Sequence, residues 1–155
     1  MKKEALKIIF DFLEEKENKN LPVIWKHKNN LPLTQEELTV EGDLNLVQSN
    51  IKSLPEGLKV KGNLILFDTP ITFLPEGLYV GRDLDIFDSK IISLPKGLKV
   101  GNCLNIKNTK ITFLPKGLEV GTTLYIKNTP LVEYTDDELR EMIKPGFIYG
   151  LIYRK

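Results

Sequence analysis

The chain holds one histidine and one cysteine, His27 in "WKHKNN" and Cys103 inside a repetitive stretch. With one of each, an ordinary Cys/His zinc site cannot be assembled. A cysteine–histidine nucleophile pair needs hydrogen-bond reach between the two, and the repeats that separate them keep them apart. Glycine-rich phosphate loops of either usual spacing do not occur. Asp68, Asp83, Asp85 and Asp88 are near enough in sequence to suggest paired carboxylates for acid–base hydrolysis. They occupy repeat positions expected to face solvent, so a hydrolase is the weakest functional reading. Lys107, Lys110 and Lys127 with Tyr125 offer ammonium groups for phosphate and a ring for base stacking, which makes a nucleic-acid-associated protein the second reading. No cofactor and no metal are expected.

What positions these residues is a repeat. Leu54, Leu74, Leu94 and Leu114 are twenty residues apart, as are Val40, Val60, Val80, Val100 and Val120. Leu44, Leu64, Leu84, Leu104 and Leu124 follow the same spacing, each trailed two residues later by Leu46, Leu66, Ile86, Ile106 or Ile126. Pro55, Pro75, Pro95 and Pro115 mark a corner, with Gly57, Gly77, Gly97 and Gly117 two residues on. Five units fill roughly Thr34 to Glu133, the first lacking its Leu-Pro-x-Gly. A fixed period of this length is the signature of a solenoid whose units contact mainly their neighbours. Leu-x-Val and Leu-x-Ile alternate with period two, the pattern of strands with one buried face. One unit alone buries too little, at about 1.5–3 kcal/mol per aliphatic side chain, to offset about 1–2 kcal/mol of backbone entropy per residue. Stacking has to close the core.

If the Leu and Ile columns point inward, the residue between them and the residue after them point outward. Coil by coil, these are Asn45 and Val47, Ile65 and Phe67, Asp85 and Phe87, Asn105 and Lys107, Tyr125 and Lys127. Val47, Ile65, Phe67 and Phe87 form an apolar patch rimmed by Asp68, Asp85 and Asp88, while Lys107, Lys110 and Lys127 make the other half basic. An apolar patch with a polar rim is how protein-binding surfaces present themselves. The expected binding set is therefore Val47, Ile65, Phe67, Asp85, Phe87, Asn105, Lys107, Tyr125 and Lys127, and the leading reading is a non-catalytic binding module for another protein. Phe73 and Phe113 alternate with Ser53 and Ser93, which reads as packing of large over small. Ser49, Thr69, Ser89, Thr109 and Thr129 keep a hydroxyl in every copy and are expected to form an inward ladder, each bonding the backbone of the next coil.

The segment "LNIKNTKITFLP" (Leu104 to Pro115) resembles the Leu-x-Leu-x-x-Asn-x-Leu-x-x-Leu-Pro core of short bacterial leucine-rich repeats. The resemblance covers about a hundred of the 155 residues. It implies a mainly β fold, a leucine-rich-repeat-like parallel β-solenoid of about five twenty-residue coils. Two departures, Thr or Ser in place of the ladder asparagine and Val-x-x-x-Leu spacing ahead of the strand, leave a straighter, closed β-solenoid open beside the horseshoe. Arrays of Leu-Pro-x-Gly-Leu-x-Val units with a tail like "YTDDELREMIKPGFIYGLIYRK" also resemble small proteins of tailed phages and their bacterial hosts. That resemblance implies inhibition of a host protein, such as a defence-system component, by blocking a surface.

The two ends read as caps on a single domain over 1–155, with an N-terminal cap at 1–33, repeats at 34–133 and a C-terminal cap at 134–155. An amphipathic helix is expected over 2–17, with "PVIWKHK" (Pro22 to Lys28) as an extended piece. Thr135 and Glu138 form a capping box for a helix Asp136–Ile143 that stops at Pro145-Gly146, and "FIYGLIY" reads as a closing strand. Asp11, Glu14 and Glu15 interrupt the N-terminal apolar run too early for a signal peptide, and there is no transmembrane run. The balance of 22 basic and 21 acidic residues gives no global push toward nucleic acid or membrane. One unpaired cysteine fits the reducing cytoplasm, the host's if the chain is phage-encoded. A monomer, or a homodimer through the terminal coils, is expected.

Overall fold

A computed structural model describes residues 23–155. The chain divides into two compact units, Met1–Leu33 and Thr34–Lys155. The helix expected over 2–17, and its capping role, lie outside the described residues.

In the first unit, Val23–Lys28 is an α-helix rather than the extended piece expected from its β-branched and aromatic residues. The cause lies just past its end. Asn30 takes the left-handed conformation (φ 54°), so the Leu31 amide donates to the Lys26 carbonyl at 2.9 Å and the Asn30 amide to that of His27 at 3.1 Å. This pair of bonds is a Schellman cap, and it closes a short helix against weak local propensity. His27 is partly buried.

The second unit is a mainly β solenoid of parallel strands. One sheet stacks Thr39–Val40 (β1), Lys59–Val60 (β3), Tyr79–Val80 (β5), Lys99–Val100 (β7), Glu119–Val120 (β9) and Phe147–Ile148 (β11). The other stacks Leu44–Asn45 (β2), Leu64–Ile65 (β4), Leu84–Asp85 (β6), Leu104–Asn105 (β8), Leu124–Tyr125 (β10) and Ile152–Tyr153 (β12). Register follows the sequence period: Val60 pairs with Val80, and Leu64 with Leu84. Each turn thus lays one short strand in each sheet and returns by a flank. The strands are short because the corners are frequent. Gly57, Gly77, Gly97 and Gly117 have φ of 69–77°, the region glycine enters without a Cβ penalty. Gln48, Asp68, Asp88, Asn108 and Asn128 turn the opposite corner at φ 53–58°, and four of the five are the Asp or Asn that tolerates this geometry best.

The aliphatic columns fill the interior. Leu58, Val60, Leu64, Leu66 and Ile71 have no accessible surface, and their counterparts one and two turns on are within 2 % of that. A second glycine column lets the coils approach: a Cβ on Gly81, Gly101 or Gly121 would run into the backbone of the preceding coil. A polar column ties coil to coil. The Asn63 amide donates to Asp43 Oδ1 (2.7 Å), that of Asp83 to Asn63 Oδ1 (3.1 Å), and that of Cys103 to Asp83 Oδ1 (3.0 Å).

The hydroxyl column is inward, with Thr69, Ser89, Thr109 and Thr129 buried, but it does not bond the next coil. Thr69, Thr109 and Thr129 donate to the carbonyls of Leu66, Ile106 and Ile126 in their own turn, at 2.9, 2.7 and 2.7 Å. The left-handed residue just before each threonine folds the chain back, so the nearest acceptor is three residues behind. Ser89 Oγ instead accepts from the Ile91 amide at 3.4 Å.

At the C-terminal end a 3-10 turn (Pro130–Glu133) leads into the helix Asp136–Met142. Its capping box is formed as expected: the Thr135 amide donates to Glu138 Oε2 at 2.7 Å and the Glu138 amide to Thr135 Oγ1 at 3.3 Å. "FIYGLIY" supplies two strands, β11 and β12, which add a final rung to each sheet. The outward carbonyls of Ile148 and Gly150 on that rung accept hydrogen bonds from the Arg140 guanidinium. Among the described residues no helix is long and apolar enough to cross a membrane.

Candidate functional site

The outer face of the second sheet carries the binding residues expected from the sequence, and the phase of the strands puts them there. Leu64 and Leu66 are fully buried, while Ile65 and Phe67 between and after them are partly exposed. The same alternation holds through Asp85, Phe87, Asn105, Lys107 and Tyr125, with Val47, Asn45 and Lys127 exposed.

Contacts along this face run across coils. The Phe67 and Phe87 rings stack at 5.3 Å between centroids, 20° from parallel. Lys107 Nζ lies 5.9 Å from the Phe87 centroid and 5.4 Å from that of Tyr125. Tyr125 then meets Tyr153 edge-on at 5.6 Å. The two halves expected from the sequence, one apolar and one basic, are therefore joined: Lys107 bridges two rings by cation–π contact and extends the strip to the last rung. Tyr153 was not foreseen, because the tail departs from the twenty-residue period and its register to Tyr125 emerges only from pairing. Lys127 stands outside this chain of ring contacts.

The polar members of the face have structural duties. Asn45, Asp85 and Asn105 each accept, through Oδ1, the amide two residues on, those of Val47, Phe87 and Lys107. Asn105 Nδ2 also donates to Asp85 Oδ1 at 3.0 Å. Asp83 is engaged by the Cys103 amide. Of the four carboxylates that the sequence offered for hydrolysis, Asp83 and Asp85 thus hold backbone amides, and Asp68 and Asp88 are exposed at the left-handed corners. Among the described residues no group of three or more His, Cys, Asp or Glu could hold a metal ion. Cys103 is partly exposed, with its sulfur 3.1 Å from Thr122 Oγ1. An open groove of about 430 Å³ beside the first sheet is lined by Glu36, Thr39, Glu41, Lys59, Lys61 and Tyr79. Its charges are partly spent on each other, with Lys61 and Glu41 paired at 2.8 Å.

Phe73 and Phe113 correct the sequence reading. Rather than packing over serines, they are 60 % and 52 % exposed, and Ile92 on the flank between them is 48 % exposed. The flank keeps Ile71 and Leu74 inside, and two residues between two inward ones both face out. Only the three-residue step from Ile71 to Leu74, out of phase with strand alternation, could have signalled this.

Comparison with protein-family models, curated proteins and solved structures finds no match to this chain.

Proposed function

We propose that the chain is a non-catalytic protein-binding module whose docking surface is the outer face of the second sheet. The observation that carries this reading is the strip Phe67–Phe87–Lys107–Tyr125–Tyr153. Each member touches the next, and the strip rests on a ladder of parallel strands. Aromatic rings held rigid by their neighbours lose little entropy on docking and supply most of the energy at protein interfaces. On the resemblance to tailed-phage repeat proteins, the partner is a bacterial host protein, such as a defence component, met in the host cytoplasm and inhibited by occlusion.

The nucleic-acid reading draws support from one feature: residues 90–133 carry seven lysines against two glutamates. Against it, Lys107 is already turned onto two rings, and Asp85 and Asp88 flank the strip.

The test is capture from bacterial lysate by the wild-type chain and by a Phe67→Asp/Phe87→Asp double variant, at about 0.1 M and 0.5 M salt. Protein capture that survives the higher salt and disappears in a variant with a native circular dichroism spectrum supports the proposal. Capture of nucleic acid that fails steeply with salt favours the second reading. Unfolding of the double variant assigns both rings to the core and removes the docking surface.

A further inference from the structure

The flank of the solenoid is a surface separate from the strip, and its side chains are self-complementary. It consists of four segments, 50–57, 70–77, 90–97 and 110–117, stacked in register. The Gly57 amide donates to the Glu76 carbonyl (3.0 Å), the Ile92 amide to that of Thr72 (3.4 Å) and the Gly97 amide to that of Lys116 (3.1 Å). Along the stack one column is Ser53, Phe73, Ser93, Phe113, and a second at the rim is Glu56, Glu76, Lys96, Lys116. The rings and all four charged side chains are exposed.

A two-fold axis lying in the face along the chain direction, between segments 70–77 and 90–97, reverses the stack and leaves each column facing itself. Phe73 then meets Ser93 of the second copy, and Phe113 meets Ser53. Glu76 meets Lys96, and Glu56 meets Lys116. Every large side chain faces a small one and every acid faces a base. The columns between and beside them add no like-charge pair, since Lys52 faces Thr112, Thr72 faces Ile92, Asn50 faces Lys110 and Pro70 faces Lys90. The wider charge distribution has the same antisymmetry: residues 34–89 hold ten acidic and four basic groups, a net of −6, and residues 90–133 seven basic and two acidic, a net of +5.

We propose that two copies of this chain associate flank to flank in antiparallel register about this axis. Isologous pairing of one patch with itself is the common way in which a chain closes a dimer. At about 4.8 Å per rung and 3.3 Å per residue the flank covers roughly 400 Å² per copy. The pair therefore buries roughly 800 Å², below the about 1,200–2,000 Å² of tight complexes. The dimer is accordingly weak and dependent on salt.

Sedimentation velocity on the full chain from about 10 µM to 1 mM, the concentrations at which a weak dimer forms, reads the association. The wild type is expected to shift from monomer to dimer. E56K/E76K and K96E/K116E, whose substitutions lie at exposed positions, are each expected to remain monomeric, because every charged pair becomes like on like. Mixing the two restores a one-to-one dimer, since each variant then faces its opposite, and the quadruple swap restores the homodimer. Monomer alone for the wild type, or a mixture no more associated than its components, overturns the proposal. These variants leave the strip intact, so the outcome is independent of the capture experiment.

Discussion

Valine at position 109 keeps the shape of threonine and removes one hydroxyl. Thr109 Oγ1 donates to the Ile106 carbonyl at 2.7 Å, and the residue is 3 % exposed, so no water can take the place of the bond. The Ile106 carbonyl keeps a second donor, the Thr109 amide at 3.3 Å, and is not stranded. The loss is therefore about 1 kcal/mol, the net value of one intramolecular hydrogen bond, rather than the about 3 kcal/mol of an orphaned group. Ser49 occupies the same column one end away, yet its buried Oγ has no hydrogen-bond partner. Ser49→Ala removes a hydroxyl that was desolvated without return and should stabilise by up to about 1 kcal/mol. For a chain of this size each kcal/mol moves the thermal midpoint by about 2–4 °C. Thermal and urea unfolding should thus place Thr109→Val about 3 °C below the wild type and Ser49→Ala at or above it, with unchanged urea slopes. A Thr109→Val variant as stable as the parent, or a Ser49→Ala variant that falls with it, would show that the column works by volume and refute the hydrogen-bond account.

Gly101→Ala drives a Cβ into the Gly81 carbonyl, whereas nothing lies within 4 Å of a Cβ at Gly42; the first should cost about 3 kcal/mol or more and the second within about 0.5, as read by urea melts. Leu104→Asp puts an unpaired carboxylate at a position with no accessible surface and should abolish the native circular dichroism spectrum. The Glu138 carboxyl is held below its ordinary value by the Thr135 amide and hydroxyl. Its stabilisation is complete above the ordinary glutamate range and fades as pH falls through the lowered folded value. Glu138→Gln should flatten that acid limb while leaving the slope at neutral pH unchanged, as seen in stability curves against pH. Arg140→Ala strips the donors from the last-rung carbonyls and should speed hydrogen exchange of the Phe147 and Tyr149 amides while leaving that of Leu104 unchanged.

The interior was legible in the sequence because two periods overlap there. Alternation gives the inward side of each strand, and the twenty-residue repeat gives the register, so Leu64, Leu66 and Leu84 could be placed without coordinates. What eluded the sequence depended on local chain direction. The threonines were correctly inward, but their acceptors lay in their own turn because Asp68, Asn108 and Asn128 reverse the chain through left-handed φ. Val23–Lys28 reads as extended by propensity and is helical through the cap at Asn30. The flank rings read as packing in the sequence because alternation says nothing where Ile71 and Leu74 leave two outward residues in a row.

The solenoid fixes its inward letters and leaves its outward ones free, and the outward columns are not random. A stack needs Leu, Val and Ile at the rungs, glycine where coils approach and Asp, Asn or Gly at the corners; none of these demands says anything about residue 53, 56 or 67. Yet the second-sheet column reads Val47, Phe67, Phe87, Lys107, Lys127, and the flank columns read Ser-Phe-Ser-Phe and Glu-Glu-Lys-Lys. That second-sheet column grades from apolar to cationic, which suits a heterologous partner that is itself polar at one end. The flank changes sign about its midpoint, which suits a copy of itself. One chain can hold both because the surfaces lie on different sides of each turn and share no residue, so a substitution on one should leave the other's association unchanged.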